Sequence, residues 1–477
     1  MLSYLSTQLE KYKRKKLINL LKSTDPESLL RFSEKNVLAT FQRAAIRSPA
    51  YSKLLAVKQI NPASIKDIKS FIANAPFLDK VNTFQENEIL DLCLDGNFNN
   101  VKSLLTSSGH SGIFSFGVNT NENLKTSSKS IDFGLNYTFN IDKKKSLLIN
   151  CLPMGVKVNT SLTIAETSTR EDMVWAVIKK FSHLFEQTVL VGEGSFLKKI
   201  IEDGADYQGI NWKKGCFSLI TGEEGIAENY RNYIAHLMGI DLNNPQSPGI
   251  IGSSMGVAEL DLNIFHETKN TMALRRLAHT NQQFREALFG KGTLVCPMLF
   301  VYYPHRTYIE EIPAEFGQNH IVISMLSKQM KIPLLRYKTG DLGKIIPYNK
   351  LKSILSSLGL QALMPELKLP LISIFGRGQN VKVGGISLFP EEVKEAIYSD
   401  FELASQVTGA FKLIPQDSHI NIFIQLRKGK QLNDIVKEKM AVAMRRYSEA
   451  PLNIIFYTYN TFPYFMEVDY ERKFSYA

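Results

Sequence analysis

The sequence predicts an α/β protein with two parts: a large multi-layer amino-terminal domain of parallel-type sheets flanked by helices (residues 1–376), and a small α+β carboxy-terminal domain (residues 377–477). Three observations carry that expectation. The chain has 477 residues, well past the ~250 to 300 at which one hydrophobic core stops growing, so it divides. Between residues 146 and 239 short apolar runs alternate with helical patterns, as in parallel strands joined by helical crossovers. After residue 376 the texture changes to a glycine-rich segment, a short helix and then a strand, strand, helix, strand series.

The amino terminus, MLSYLSTQLEKYKRKKLINLLKS, sets Leu2, Leu5 and Leu9 at helical spacing and follows them with Lys11, Lys13, Arg14, Lys15 and Lys16. Such a cluster is either the solvated face of a surface helix or a weak contact with an anionic membrane surface. Its charge comes after a short apolar stretch, which makes a poor secretory signal and points to a cytoplasmic protein. Residues 146–158 read as a strand region, 171–185 as a helix, 187–193 as a strand and 195–204 as a helix ended by Gly204. Residues 216–225 then read as strand and turn, and 226–239 as a helix ended by Gly239. Ligands of such sheets sit at the carboxyl ends of the strands, so TGEEG (221–225) and SSMG (253–256) fall where a site is expected. A second sheet-like region runs through 293–304, 320–326 and 332–348, and Pro390 with Glu391 opens a helix.

Composition excludes several classes. Hydrophobic residues at 44% and charged residues at 22% match soluble globular proteins rather than disordered chains, and no run approaches the ~20 apolar residues of a membrane span. Cys93, Cys151, Cys216 and Cys296 are scattered without a C-x-x-C pair, so neither a disulfide framework nor a zinc ribbon is expected. The net charge of +11 is spread along the chain without a helix-turn-helix, zinc-finger or aromatic RNA-binding signature, and no nucleic-acid partner is expected.

The segment TSSGHSGIFSFG (106–117) has three readings: a phosphate cradle, a nucleophile turn presenting Ser111, or a plain surface turn. A nucleophile elbow needs a second glycine at position 113, which is Ile113, so spacing removes it. A Walker-type loop needs Gly-Lys-Ser or Gly-Lys-Thr, which is absent. A loop of small and hydroxylated residues can still wrap phosphate oxygens with backbone amides, and it can equally be a turn without chemistry.

Four segments then occur in order: TSSGHSG (106–112), GSSMGVAEL (252–260), RYKTGDLG (336–343) and FGRGQNVKVGGISLFPEEV (375–393). In order and content they resemble the adenylate-forming acyl-acid ligase superfamily, and GGISLFPEEVKEAI resembles its phenylacetate-CoA ligase branch. NVLATFQRAAIRSPAYSKLL (36–55) and APFLDKVNTF (75–84) resemble that branch's opening helix and its P-x-x-x-K approach. The resemblance implies ATP-dependent adenylation of a small carboxylic acid with Mg2+, and then transfer of the acyl group to the thiol of CoA or an acyl carrier protein. By the match, Thr106, Ser107, Ser108, Gly109, His110, Ser111 and Gly112 form the phosphate loop, with His110 a catalytic candidate. Glu259 holds Mg2+, Asp341 accepts from the ribose hydroxyls, and Arg377 reaches the nucleotide from the domain junction. Gly222, Glu223, Met255 and Gly256 line the adenine, and Lys473 is the adenylating lysine.

The sequence also departs from that pattern. Gly112 is followed by Ile113, Phe114 and Ser115, so this loop brings no lysine, and His110 stands where a threonine or serine is usual. Met255 replaces an aromatic residue, Gln379 occupies the hinge position, and Lys473 lacks the usual preceding glycine. These departures keep two alternatives open: transfer to a protein or amine without CoA, and a degenerate nucleotide- or acyl-binding member without turnover.

Overall fold

The computed structural model describes every residue except 1, 108–111, 154, 245, 315–317, 379, 465–475 and 477, and only the backbone of 2–4 and 6. The strands are, in chain order, β1 Val101–Thr106, β2 Phe116–Thr120, β3 Ser146–Cys151, β4 Thr163–Glu166, β5 Gln187–Glu193, β6 Phe217–Gly222, β7 Ile251–Val257, β8 Asp261–His266 and β9 Met298–Val301. They continue as β10 Thr307–Pro313, β11 Asn319–Met325, β12 Tyr337–Ile346, β13 Leu371–Gly376, β14 Val381–Val383, β15 Ile386–Leu388, β16 Val407–Pro415, β17 Ile420–Leu426 and β18 Leu452–Tyr457. Six helices matter below: α1 Leu2–Ser23, α2 Asn121–Phe139, α3 Gly194–Gln208, α4 Glu228–Met238, α5 Lys269–Thr280 and α6 Pro390–Tyr398.

An 11-stranded sheet organises most of the chain, in the order β10-β11-β12-β13-β9-β8-β7-β6-β5-β3-β4. Its β4-β3-β5-β6-β7 half is parallel. β3 is buried at every position and β5 at all but its last, the near-continuous apolar strand expected when both faces are covered. β7 joins the halves: Ile251 to Ser253 pair with β6 in parallel, and Ser254 to Val257 pair antiparallel with β8. From β8 to β10 the sheet is antiparallel. The α/β class read from the sequence is the architecture found, with this antiparallel half added.

The helix expected to stop at Gly204 continues as α3 to Gln208. Gly204 lies inside it because a Cβ there would come within 3.0 Å of Trp212 and 3.2 Å of Trp175, so the glycine serves close packing. Gly209, at φ +66°, takes the left-handed terminating position instead. α4 ends at Gly239 in the same conformation, as expected. Beyond β13, β14 and β15 form a hairpin, and β16, β17 and β18 a separate three-stranded sheet in which β17 and β18 run parallel. α6 packs against α4 of the large sheet's layer, and one continuous cluster of buried apolar side chains runs through both sheets. No described helix is long and apolar enough to cross a membrane.

Candidate active site

A cavity of about 590 Å³ opens where β6 and β7 end and the sheet changes direction. Its wall combines residues far apart in the chain: Thr106 and Ser107 at the end of β1, Gly222 and Glu223 at the end of β6, Gly256 to Glu259 around the β7–β8 turn, Lys338 to Gly340 of β12, and Arg377 after β13. They meet at the carboxyl ends of β6 and of the parallel part of β7, the switch point at which such sheets bind ligands.

Backbone geometry makes the approach possible. A Cβ at Gly256 would lie 2.3 Å from the Leu262 carbonyl oxygen, so only glycine lets the β7–β8 hairpin close. At Gly117 a Cβ would lie 2.1 Å from the Ala258 carbonyl oxygen, and this contact lays the β1–β2 hairpin beside the Ala258–Glu259 turn. The neck of the 106–117 loop is tied by the Ser107 amide donating to the Ser115 carbonyl at 2.9 Å and the Ser115 amide donating to Ser107 Oγ at 3.0 Å. Glu223 takes φ +68°, a conformation that costs a non-glycine residue of order 1 kcal/mol and that clusters at functional sites.

Charge is concentrated at this end of the cavity. Glu259 is buried and its Oε1 accepts the Tyr337 hydroxyl at 2.7 Å. Burial and the Glu259 carboxylate together hold the Tyr337 phenol well above its usual range, so it remains a donor. Asp341 is buried too: its Oδ1 lies 3.4 Å from Arg377 Nε, and its Oδ2 has no donor among the described residues. Lys80 and Lys338 also line the cavity, with Lys338 Nζ 4.5 Å from the centre of the Phe77 ring.

The other end is apolar. Ile131, Leu135 and Phe139 on one face of α2 oppose Leu148, Val191 and Ile220 on the parallel strands, all lining the cavity. Thr138 and His266 interrupt this apolar wall. Burial, with Arg306 nearby, pushes the His266 imidazole down to about 4 and keeps it neutral. Its Nε2 lies 3.1 Å from the Tyr303 hydroxyl, and its ring packs on Gly134, where a Cβ would come within 3.0 Å.

Of the residues named from the sequence, Thr106, Ser107, Gly222, Glu223, Gly256, Glu259 and Arg377 share this one cavity, with Asp341 paired to Arg377 at its edge. Gly112 stands at φ +76° in the loop, and Met255 packs against the core and is not among the lining residues. Ser108, Gly109, His110, Ser111, Gln379 and Lys473 lie outside the described residues. Lys80, Lys338 and the apolar wall carry no role in the expectations drawn from the sequence. Lys80 closes the APFLDK segment and Lys338 sits within RYKTGD, so both stood inside segments already singled out. The apolar wall carried no comparable signal, since its members are spread from 131 to 220 on four elements.

No protein-family model matches the chain, and no curated protein sequence matches it. Solved structures do. A 2-hydroxyisobutyryl-CoA ligase in its postadenylation state superposes with TM-score 0.67 at 10% identity, over 94% of this chain and 88% of that one. The same ligase in complex with 2-HIB-AMP and CoA in the thioesterification state gives 0.56 at 10% identity, over 94% and 90%. Its open conformation gives 0.54 at 11% identity, over 91% and 88%. The chain therefore shares the fold of that CoA ligase along nearly its whole length.

Proposed function

We propose that this chain is an AMP-forming acid–thiol ligase of the phenylacetate-CoA ligase type, which adenylates a small carboxylic acid with ATP and passes the acyl group to the thiol of CoA or an acyl carrier protein. The observation that carries the reading is the shape of this cavity: a polar, cation-bearing end built from segments far apart in the chain, continuous with an apolar end suited to an acid's apolar body. The buried Oδ2 of Asp341, without a donor among the described residues and beside Arg377, suits a diol such as a ribose, because a carboxylate is an acceptor-only group.

The difficulty of the first step is bringing a carboxylate to an anionic phosphate, so cations must surround the meeting point. Lys80, Lys338 and Arg377 line the cavity at that end, which offsets the missing loop lysine. Glu259 offers a hard carboxylate on the wall, held in place by the Tyr337 hydroxyl, and this suits Mg2+, an ion that takes one or two carboxylates and completes its shell with phosphate oxygens and water. Bound there, Mg2+ would neutralise phosphate charge. In the same reading the 106–112 loop, with His110, covers the phosphates, Gly222, Glu223 and Gly256 flank the adenine with Met255 behind them, Lys473 reaches the reacting carboxylate, and residues 377–477 reorient between the two half-reactions.

The test is exchange of labelled pyrophosphate into ATP by the purified chain with Mg2+ across a panel of carboxylic acids, followed by AMP release with and without CoA. Acid-dependent exchange that becomes CoA-dependent AMP release is the expected result. Exchange without CoA dependence assigns transfer to another nucleophile, and ATP binding without exchange assigns a binding role.

A further inference from the structure

The structure divides the amino-terminal basic cluster into a spent face and a free one. On the inner face of α1, Arg14 is buried and paired with Asp142, and Lys11 Nζ donates to the Asp142 carbonyl at 2.7 Å. Leu21 is in the core, and Leu17 and Ile18 pack against it. The helix is thus fixed on the body by its own packing and needs no further partner on that side.

The outer face is different. Leu5, Leu9, Tyr12 and Leu20 are 56, 51, 64 and 56% exposed and recur at three- and four-residue steps or their multiples, which places them in one stripe along the helix. Lys13, Lys15 and Lys16 are exposed beside or within that stripe, and Lys143, next to Asp142 where α1 docks, is exposed as well. Glu10 lies 3.0 Å from Lys13 and 3.7 Å from Lys129, and the exposed lysines outnumber it. Four large apolar side chains held in water on a helix that is already anchored are a cost without an internal return.

We propose that this face of α1 docks the protein on an anionic lipid surface, with Leu5, Leu9, Tyr12 and Leu20 entering the headgroup region and the lysines meeting the lipid charge. A polyanionic nucleic acid would engage the lysines but leave the leucines wet, because phosphate contacts offer nothing to an aliphatic side chain. A second copy of the same face would bring like charges together. An anionic bilayer surface satisfies both components, as interfacial amphipathic helices do.

The test is cosedimentation of the full chain with vesicles of phosphatidylcholine containing phosphatidylglycerol, with vesicles of phosphatidylcholine alone, and retention on duplex DNA. Binding to the anionic vesicles alone, weakened by salt, is expected. Lys15→Gln and Lys16→Gln each lower it about fivefold, and the pair Leu5→Gln, Leu9→Gln lowers it at least about tenfold while leaving the melting temperature and far-ultraviolet dichroism unchanged. If that pair unfolds the helix, Tyr12→Ser with Leu20→Gln repeats the measurement. Failure to bind anionic vesicles at low salt overturns the proposal, as does binding that none of the leucine or tyrosine changes affects. Retention on DNA without vesicle binding overturns it and moves the face to nucleic acid.

Discussion

At Asp341, Oδ1 faces Arg377 while Oδ2 is buried with no donor among the described residues. A buried acceptor left unpaired costs ~1 to 3 kcal/mol, and a ligand that supplies the donor recovers it. Asp341→Ala should therefore weaken ATP binding by roughly 30-fold in calorimetry, corresponding to about 2 kcal/mol. An unchanged affinity removes Asp341 from the site. His266 makes a second prediction. Its imidazole, held down at about 4 by burial and by Arg306, stays neutral in the folded protein while an unfolded histidine near 6.5 takes up a proton. Stability from this residue is intact above about pH 6.5 and is lost as pH falls from there to about 4, since the unfolded chain binds more protons in that window. Relative to His266→Asn, the wild type should lose about 3 kcal/mol across that range in urea melts. Asp341 was legible from its TGD setting. His266 was not, because a lone histidine in LNIFHE does not reveal burial.

Among the elements, the β1–β2 hairpin depends on Gly117, whose Cα rests against the Ala258 carbonyl. Any Cβ must push that hairpin off the Ala258–Glu259 turn, an overpacking that costs ~1 to 3 kcal/mol. Gly117→Ala should lower the urea midpoint accordingly and raise the KM for ATP, because the hairpin carries Thr106 and Ser107 to the cavity. An unaltered KM would separate the hairpin from the site. The alternating pattern from β3 to α4 was readable, since a strand buried on both faces and an amphipathic crossover helix have different periods. The exchange of Gly204 for Gly209 as the end of α3 was not, because both are glycines in a helical context. The two tryptophans packed on the first and the left-handed backbone of the second distinguish them.

Across the whole molecule, the carboxy-terminal sheet is seated by charge as well as by apolar packing. Glu395 of α6 is fully buried and accepts the Glu228 and Asn229 amides at 2.9 and 3.1 Å, so it caps α4. Lys394 meets Glu224 at 2.9 Å, Arg427 meets Asp203 at 2.7 Å, and Lys198 donates to the Val407 carbonyl at 2.7 Å. Under α4 lies a second buried network, Glu228, Arg231, Glu267 and Arg275. Glu395→Ala leaves two helix amides unpaired and should weaken the seat by about 1 to 3 kcal/mol. The expected readout is faster hydrogen exchange in α6 and the first turn of α4 and faster proteolysis in 377–389, with little change elsewhere. Unchanged exchange would mean that the Glu395 carboxylate does not hold the seat and that the remaining ion pairs and apolar packing do. By itself the sequence determined the α/β class, the parallel strands and the segments that converge on the cavity, because local periodicity, glycine placement and short motifs are properties of neighbouring residues. Tertiary structure alone decided the antiparallel half of the sheet, the apolar wall, the entry of Lys80 and Lys338 into the cavity, and which basic residues of the amino terminus are spent on Asp142. Each of these rests on contacts between residues distant in the chain, whose meeting depends on how the whole sheet twists and packs.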